Sequence, residues 1–538
     1  MMHRLPLMCA LVLALGASVP QSAERVDPVA LSKIRDEGLN RSQVMDTAFW
    51  LTDRYGPRLN GSPEFEEAGD WAVRRLRQWG IERVRKESFV SGRGWSLKNF
   101  HATMTAPRVM PIIGVPIPWT PGTAGPVVAD VVRPAIASAA DAARWHGRLR
   151  GKIVLTQPAR AVRMLEQGDG PVLRYDDSNG KWRTEALTPQ AARPSDDDLA
   201  EAPASVPAPS TAPRPFDLLR FYKAEGVVAL FDRGPSTDLA SGGSNLSWVQ
   251  QHPDGGTVFV ERGGSPFSSP AQGLPQVTLA VEHYNRMVRL LDHQIPVSVE
   301  LNLQVTFTAE TAAVPRGFNI VGDLPGTDKA DEVVLLGAHF DSWNGGTGAT
   351  DNAAGVAAMM EAMRILQATG LRPRRTIRIG LWGNEEGGLV GSGNYARTHL
   401  GTADAPLPEL ARMAAYFNLD NGTGPIRGVW MEGNAAVKPI FEAWSAPLRD
   451  LGVDLFSPRV VPSTDHISFR RLGVPAFQFV QERYEYNSRT HHSNMDVYDR
   501  LQPNDMKQTA TVAATFAWLA ATREEPLPRV PSTGRDGR

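Results

Sequence analysis

The chain has 538 residues, 42% of them hydrophobic and 21% charged, which is enough for two or three domains with real cores and an ordinary globular composition. Its formal net charge of -1 leaves no basic excess, so nothing marks a nucleic-acid or anionic-membrane partner. The one cysteine, Cys9, excludes a disulfide framework and leaves no thiol nucleophile in the chain beyond it.

Residues 1–23 read as an export signal, with Arg4, an apolar stretch from Leu5 to about Val19, then small residues at Ser22 and Ala23. That stretch is short for a membrane span, and no later segment approaches the roughly 20 apolar residues a transmembrane helix requires. The expected location is therefore outside the cytoplasm, periplasmic or extracellular, with no membrane span. Residues 24–105 carry helical patterning. It is clearest over 64–80, where Phe65, Trp71, Ala72, Leu76 and Trp79 recur at helical spacing, and a short strand is expected over 81–89.

From 106 to 290 the texture changes to short β-type runs such as GKIVLTQPA and GVVALFDRG, punctuated by Pro and Gly. This reads as an inserted β-rich domain, with residues 193–215, rich in Pro, Ala, Ser and Asp, as a mobile loop. Residues 291–523 alternate strand, Gly-rich loop and helix. The fold class is therefore α/β, a mostly parallel or mixed sheet flanked by helices, with the insert as a second unit. Residues 524–538, polar and Pro-rich, read as a disordered tail.

Polar residues cluster where the strands of this last region end. His339 and Asp341 follow the run VVLLGA, and their spacing of two puts both side chains on one side. Asp351 in GATDNAAG precedes a strong helix pattern, and alone would be a helix N-cap. Glu385 and Glu386 end TIRIGLW, Asp420 ends AAYFNL, and His491 and His492 lie in RTHHSNMD. Singly these are turn and loop residues. Together they place His, Asp, Glu, Asp and His beyond successive strands of one sheet, where ligands bind in open α/β folds.

Nitrogen and carboxylate donors without sulfur suit zinc, and five donors with one bridging carboxylate suit two ions about 3.5 to 4 Å apart. In that arrangement Asp351 bridges, His339 and Asp420 complete one site, and Glu386 and His492 the other. Glu385 is left as the base that takes a proton from water and passes it to the leaving amine.

The ordered motifs HFDS, GATDNAAG, NEEGGLVGS, NLDNG and HHSNMD resemble the co-catalytic di-zinc exopeptidases, a family that includes bacterial leucyl aminopeptidases, glutamate carboxypeptidases and carboxypeptidase Q. The resemblance covers most of 30–520. It implies the metal ligands His339, Asp351, Glu386, Asp420 and His492, two zinc ions per chain and Glu385 as catalytic base. It also implies that Asp341 orients the site and that the chain takes peptide substrates; the oligomeric state stays open, with a homodimer as one option because relatives often dimerise.

The four-residue step to Asp496 selects His492 over His491. Asp465 and His466 fall near the family's substrate pocket without an assigned role, and Val497 stands where many members have Thr. GWSLKNFHATM and PWTPGTAGPVVADVV resemble the entry to a protease-associated (PA) domain. The implied function is an exported zinc exopeptidase, aminopeptidase or carboxypeptidase Q-like dipeptidase. The alternatives are a glutaminyl cyclase-like enzyme on the same scaffold and a non-catalytic receptor-like relative, against which the intact ligand set argues. A serine hydrolase is not supported, because no G-x-S-x-G elbow occurs in the sheet region.

Overall fold

The computed structural model describes residues 24–160, 162, 172–176, 181–185, 217–234, 252, 254–260, 263–308, 317–420, 422–482 and 484–531. The expected signal at 1–23 and the loop at 193–215 lie outside the described residues. No helix among them is long and apolar enough to cross a membrane.

One eight-stranded mixed sheet carries the site. Its order is Glu82–Phe89, Gly317–Leu324, Arg375–Trp382, Lys329–His339, Met413–Asn418, Ala476–Gln481, Ile426–Trp430 and Leu455–Ser457. The strands Arg375–Trp382, Lys329–His339, Met413–Asn418 and Ala476–Gln481 are mutually parallel. Antiparallel neighbours flank these four, which is why the edges of the sheet carry mixed pairing.

Alternation along Lys329–His339 explains why both faces need cover. Val334, Leu336 and Ala338 enter the larger core, while Val333 and Leu335 enter the smaller one with Trp382, Tyr416 and Phe469. The helix Ala354–Ala368 lies in the larger core with 13 of its residues buried, so its apolar surface runs all round and it packs between the sheet and outer helices. The Ala- and Thr-rich helix Pro503–Thr522 approaches it closely, as small side chains permit. The expected helix over 64–80 forms as Pro63–Gln78, N-capped by Ser62, whose hydroxyl accepts from the Phe65 amide.

After Phe89 the chain leaves this sheet and builds a second. That sheet has the order Met110–Pro111, Trp95–Ala106, Ser298–Phe307, Val127–Val132, Ile153–Leu155, Ala229–Asp232, Gln276–Leu279 and Gly114–Pro116. Its longest pairing joins Trp95–Ala106 to Ser298–Phe307 antiparallel. The second sheet thus extends past the expected 106–290 limits on both sides. Those two strands alternate buried and exposed residues and look like any half-buried strand, so composition does not mark the crossover. A hairpin of Val172–Asp176 with Lys181–Glu185 belongs to neither sheet.

The expected tail is held in place as far as residue 531. Leu527 is buried in the larger core, Arg529 donates to the carbonyls of Leu410, Ala411 and Met413, and Glu524 pairs with Arg374. A Pro-rich polar composition hid one apolar anchor and one well-placed arginine.

Candidate metal centre and active site

The parallel strands Lys329–His339, Arg375–Trp382 and Met413–Asn418 run side by side with His339 in register with Trp382, so their carboxyl ends release His339, Glu385, Glu386 and Asp420 into one cleft. His339 is 1% exposed. Its Nδ1 lies 3.0 Å from the carbonyl of Asp341, an arrangement that puts the ring proton on Nδ1 and turns the Nε2 lone pair to the cleft. Nε2 stands 3.1 Å from Asp351 Oδ1 and 3.2 Å from Asp420 Oδ1.

Asp351 sits ahead of the helix Ala354–Ala368 but does not cap it. The capping bond is made by Asn352, whose Oδ1 accepts from the Gly355 amide while its Nδ2 donates to Leu419 O. The Asp351 carboxylate is thereby free for the cleft. Asp496 fixes it from behind, accepting from the amides of Thr350 at 2.5 Å and Asp351 at 3.2 Å.

His492, in a left-handed backbone conformation at φ +57°, completes the cluster. Its Nε2 lies 3.2 Å from Asp351 Oδ2 and 3.1 Å from Glu386 Oε2. One carboxylate, Asp351, therefore faces two imidazoles with its two oxygens, and each imidazole faces one further carboxylate. All seven residues singled out from the sequence are brought together. Asp341 makes two contacts within the site. Its backbone carbonyl holds His339, while its carboxylate Oδ1 accepts from the Glu385 amide at 3.0 Å and pins the turn carrying both glutamates.

The charges in this cluster are mutually dependent. Burial opposes charge on His339 and His492, but Asp420 and Glu386 respectively, with the bonds to Asp351, outweigh it and push both pKa values well above the ordinary imidazole range. Burial would raise Asp351, yet the hydrogen bonds from the two histidines pull it well below the carboxylate range. Glu385 goes the other way, driven well up by burial and by the charges of Asp420, Asp465 and Glu386, which exceed the help from His339. Burial takes Glu386 to about 7 against the pull of His492, and takes Asp496 to about 7 with the charge of Asp351 added.

The donor set fits metal ions. A neutral imidazole Nε2 offers one lone pair or one hydrogen, yet each of these lies between two carboxylate oxygens at 3.1–3.2 Å. Two donors on one tetrahedral zinc, each about 2.0–2.1 Å from it, stand about 3.3 Å apart. Glu386 Oε1 is also buried with no hydrogen-bond partner among the described residues. Two overlapping triads that share Asp351, one with His339 and Glu386 and one with His491 and His492, have their donor atoms within 4.8 Å of one another.

Sequence reasoning set His491 aside in favour of His492 and missed Arg58. His491 stacks on His492 with ring centroids 3.8 Å apart and has Nε2 3.7 Å from Asp351 Oδ2. Arg58 is fully buried beneath the centre and donates to the carbonyls of Leu51, Phe340, Thr347 and Gly348, tying the N-terminal segment to both loops that present His339 and Asp351. Burial lowers its pKa to about 10, against the opposing charges of Asp496, Asp341 and Asp351. The Arg-Leu-Asn context of Arg58 carries no signal of this role, since the partners are backbone atoms distant in sequence.

Residues 319–517 match peptidase family M28. Over that segment the chain is similar to that family. The match takes in every residue of the metal centre but not Arg58 or the second sheet. Similarity extends further in individual relatives. Human carboxypeptidase Q is 26% identical over 480 residues, covering 89% of this chain and 85% of its own length. Leupeptin-inactivating enzyme 1 of Streptomyces exfoliatus is 32% identical over 176 residues, 32% of this chain and 36% of its own. Among solved structures, a peptidase M28 precursor from Shewanella amazonensis shares the fold at a TM-score of 0.63, with 24% identity, covering 94% of this chain and 98% of its own. The M28 assignment makes the chain a metallopeptidase, a hydrolase of peptide bonds.

Proposed function

We propose that this M28 peptidase is an exported di-zinc exopeptidase that removes terminal residues from peptides or dipeptides, as an aminopeptidase or a carboxypeptidase Q-like enzyme. The observation that carries the reading is Asp351, whose two oxygens each face the Nε2 of a different histidine, with Asp420 and Glu386 on the outer flanks. Similarity over 89% of this chain to a relative named carboxypeptidase Q supports the substrate class. The expected signal at residues 1–23 supports export. For the second sheet, we propose a PA-like inserted module.

Zinc ions held by His339, Asp351 and Asp420 on one side and by Glu386, Asp351 and His492 on the other would supply Lewis-acid polarisation of the scissile carbonyl and an acidified water. The rest is done by the chain's own groups. Glu385, buried among carboxylates, favours the protonated form, so its carboxylate takes the proton of the attacking water and returns it to the leaving amine nitrogen. Asp341 keeps that carboxylate aimed by holding the Glu385 amide. His339 is fixed with its proton on Nδ1, which keeps Nε2 available as a donor atom.

The test is digestion of a panel of free and end-blocked dipeptides and tripeptides by zinc-loaded protein. Cleavage of free but not suitably blocked peptides, lost on chelation and regained with zinc, is the expected outcome. Undiminished cleavage by metal-free protein would refute the assignment.

A further inference from the structure

The loop bearing His492 is gripped by the second sheet's unit as well as by the catalytic sheet. Val260 N donates to the His492 carbonyl at 2.7 Å, and Asn494 N donates to the Val258 carbonyl at 3.1 Å, giving a short antiparallel bridge at Phe259 and Ser493. The Asn494 side chain repeats the pairing. Its Oδ1 accepts from Val258 N at 2.7 Å and its Nδ2 donates to Gly256 O at 3.0 Å. Further along, His252 N donates to Ser488 O at 2.7 Å, and Arg489 Nη1 donates to Thr257 Oγ1 at 3.2 Å.

Val258, Phe259 and Val260 are buried at 1–2% exposure, so these bonds are shielded from competing water. Gly345 and Gly346 pack against the backbone of Ser493, Asn494 and Asp496, and a Cβ at Gly346 would collide with the Asp496 carbonyl. Trp119 of the insert meets Trp343 edge-on at 6.3 Å, and Trp343 meets the His492 ring at 6.0 Å. His492 needs such support, because its left-handed φ is one that non-glycine residues rarely adopt unless their surroundings impose it.

We propose that residues 256–260 of the insert are a positioning element for His492, so that the affinity of one of the two metal sites depends on a segment of the other domain. The proposal rests on the reading of His492 as a ligand. Backbone partners of this kind act as outer-shell supports, whose loss weakens metal binding by about 10- to 100-fold. Asn494 is the point at which a side-chain change reaches the clamp without touching a ligand.

The test titrates metal-free protein with zinc against a competing chelator and follows hydrogen exchange of the same metal-free protein. For Asn494→Ala, zinc affinity at one site falls about tenfold or more, the other site keeps its parent affinity, and exchange accelerates over 488–494. Asn494→Asp keeps the acceptor for Val258 N but loses the donor to Gly256 O. It shows a smaller weakening of the same site, and it decides the matter if Asn494→Ala does not fold. Parent-like affinity at both sites despite faster exchange would overturn the proposal. So would an equal loss at both sites tracking a lowered Tm, which is what a merely structural role produces. His492→Ala is the separate check on the ligand reading: it should lose one zinc, and if it keeps both with parent affinity, that reading falls rather than the clamp.

Discussion

The two sheets of this molecule stand in contrast. The catalytic sheet delivers chemistry through side chains at the ends of parallel strands, whereas residues 256–260, between the second sheet's strands Ala229–Asp232 and Gln276–Leu279, meet the His492 loop chiefly with backbone amides and carbonyls, at Val258 and Val260. Side chains that ligate metals are restricted to a few residue types and announce themselves. Backbone donors are supplied by any residue, so a supporting segment leaves no trace in composition. The match to family M28, over 319–517, leaves residues 256–260 out.

The sharpest way to break the comparison is within the Glu385–Glu386 pair. Glu385→Gln is expected to cut turnover by about 10² to 10⁴-fold while zinc content and Tm stay near parent values, because it removes a proton acceptor and no ligand. Activity and elemental analysis on the same sample decide this. If Glu385→Gln instead lost metal, the two neighbours would have exchanged roles.

Next comes Arg58, which lies outside the family match and binds both ligand loops. Arg58→Met removes the guanidinium donors from the carbonyls of Leu51, Phe340, Thr347 and Gly348, of which Gly348 keeps the Ala353 amide, and urea unfolding should show a loss on the order of 3 kcal/mol. Arg58→Lys should recover little, since a compact ammonium cannot reproduce the planar fork. A fully stable Arg58→Met would mean that the loops hold themselves.

Glu386→Ala should weaken zinc by about 10- to 100-fold, with activity partly restored by excess zinc. Parent-like zinc affinity in this variant would remove Glu386 from the ligand set and reduce the centre to Asp351, Asp420 and the histidines.

The smallest effect is expected far from the cleft, at His399. The Glu409 carboxylate, 3.6 Å from Nδ1, and a hydrogen bond to Glu87 raise its pKa to about 9, and Arg378 and Arg85 in turn brace those two carboxylates. A raised folded-state pKa stabilises fully below the unfolded value near 6.5, and the contribution is lost as pH rises through about 9. With the ring a quarter exposed, the size is about 1 kcal/mol. His399→Gln should therefore reduce the difference in unfolding free energy between pH 6 and pH 9.5. An unchanged difference would show that this triad contributes nothing.

Several elements were legible because one local force decides them. The helix Pro63–Gln78 follows from apolar spacing and the Ser62 cap, and the strand Lys329–His339 from its run of Val and Leu. The Asp351 helix cap was a reasonable local reading, but Asn352 is the residue that caps, since Asp351 is drawn away by two imidazoles from distant loops. The crossover strands Trp95–Ala106 and Ser298–Phe307 were placed outside the insert because a strand's alternation says which face is buried, not which sheet it joins.

The sequence by itself determined the donor types and their order along the chain, since metal coordination demands particular atoms and the strand-to-loop pattern sets where they emerge. Tertiary structure alone decided that Asp351 stands between the two histidines, that Asp341 holds the Glu385 amide, and that Arg58 and the segment 256–260 brace the centre. Those contacts join residues up to several hundred positions apart, largely through backbone atoms common to all residues. Their partners are chosen by how the two sheets pack, a property of the whole chain that no local stretch encodes.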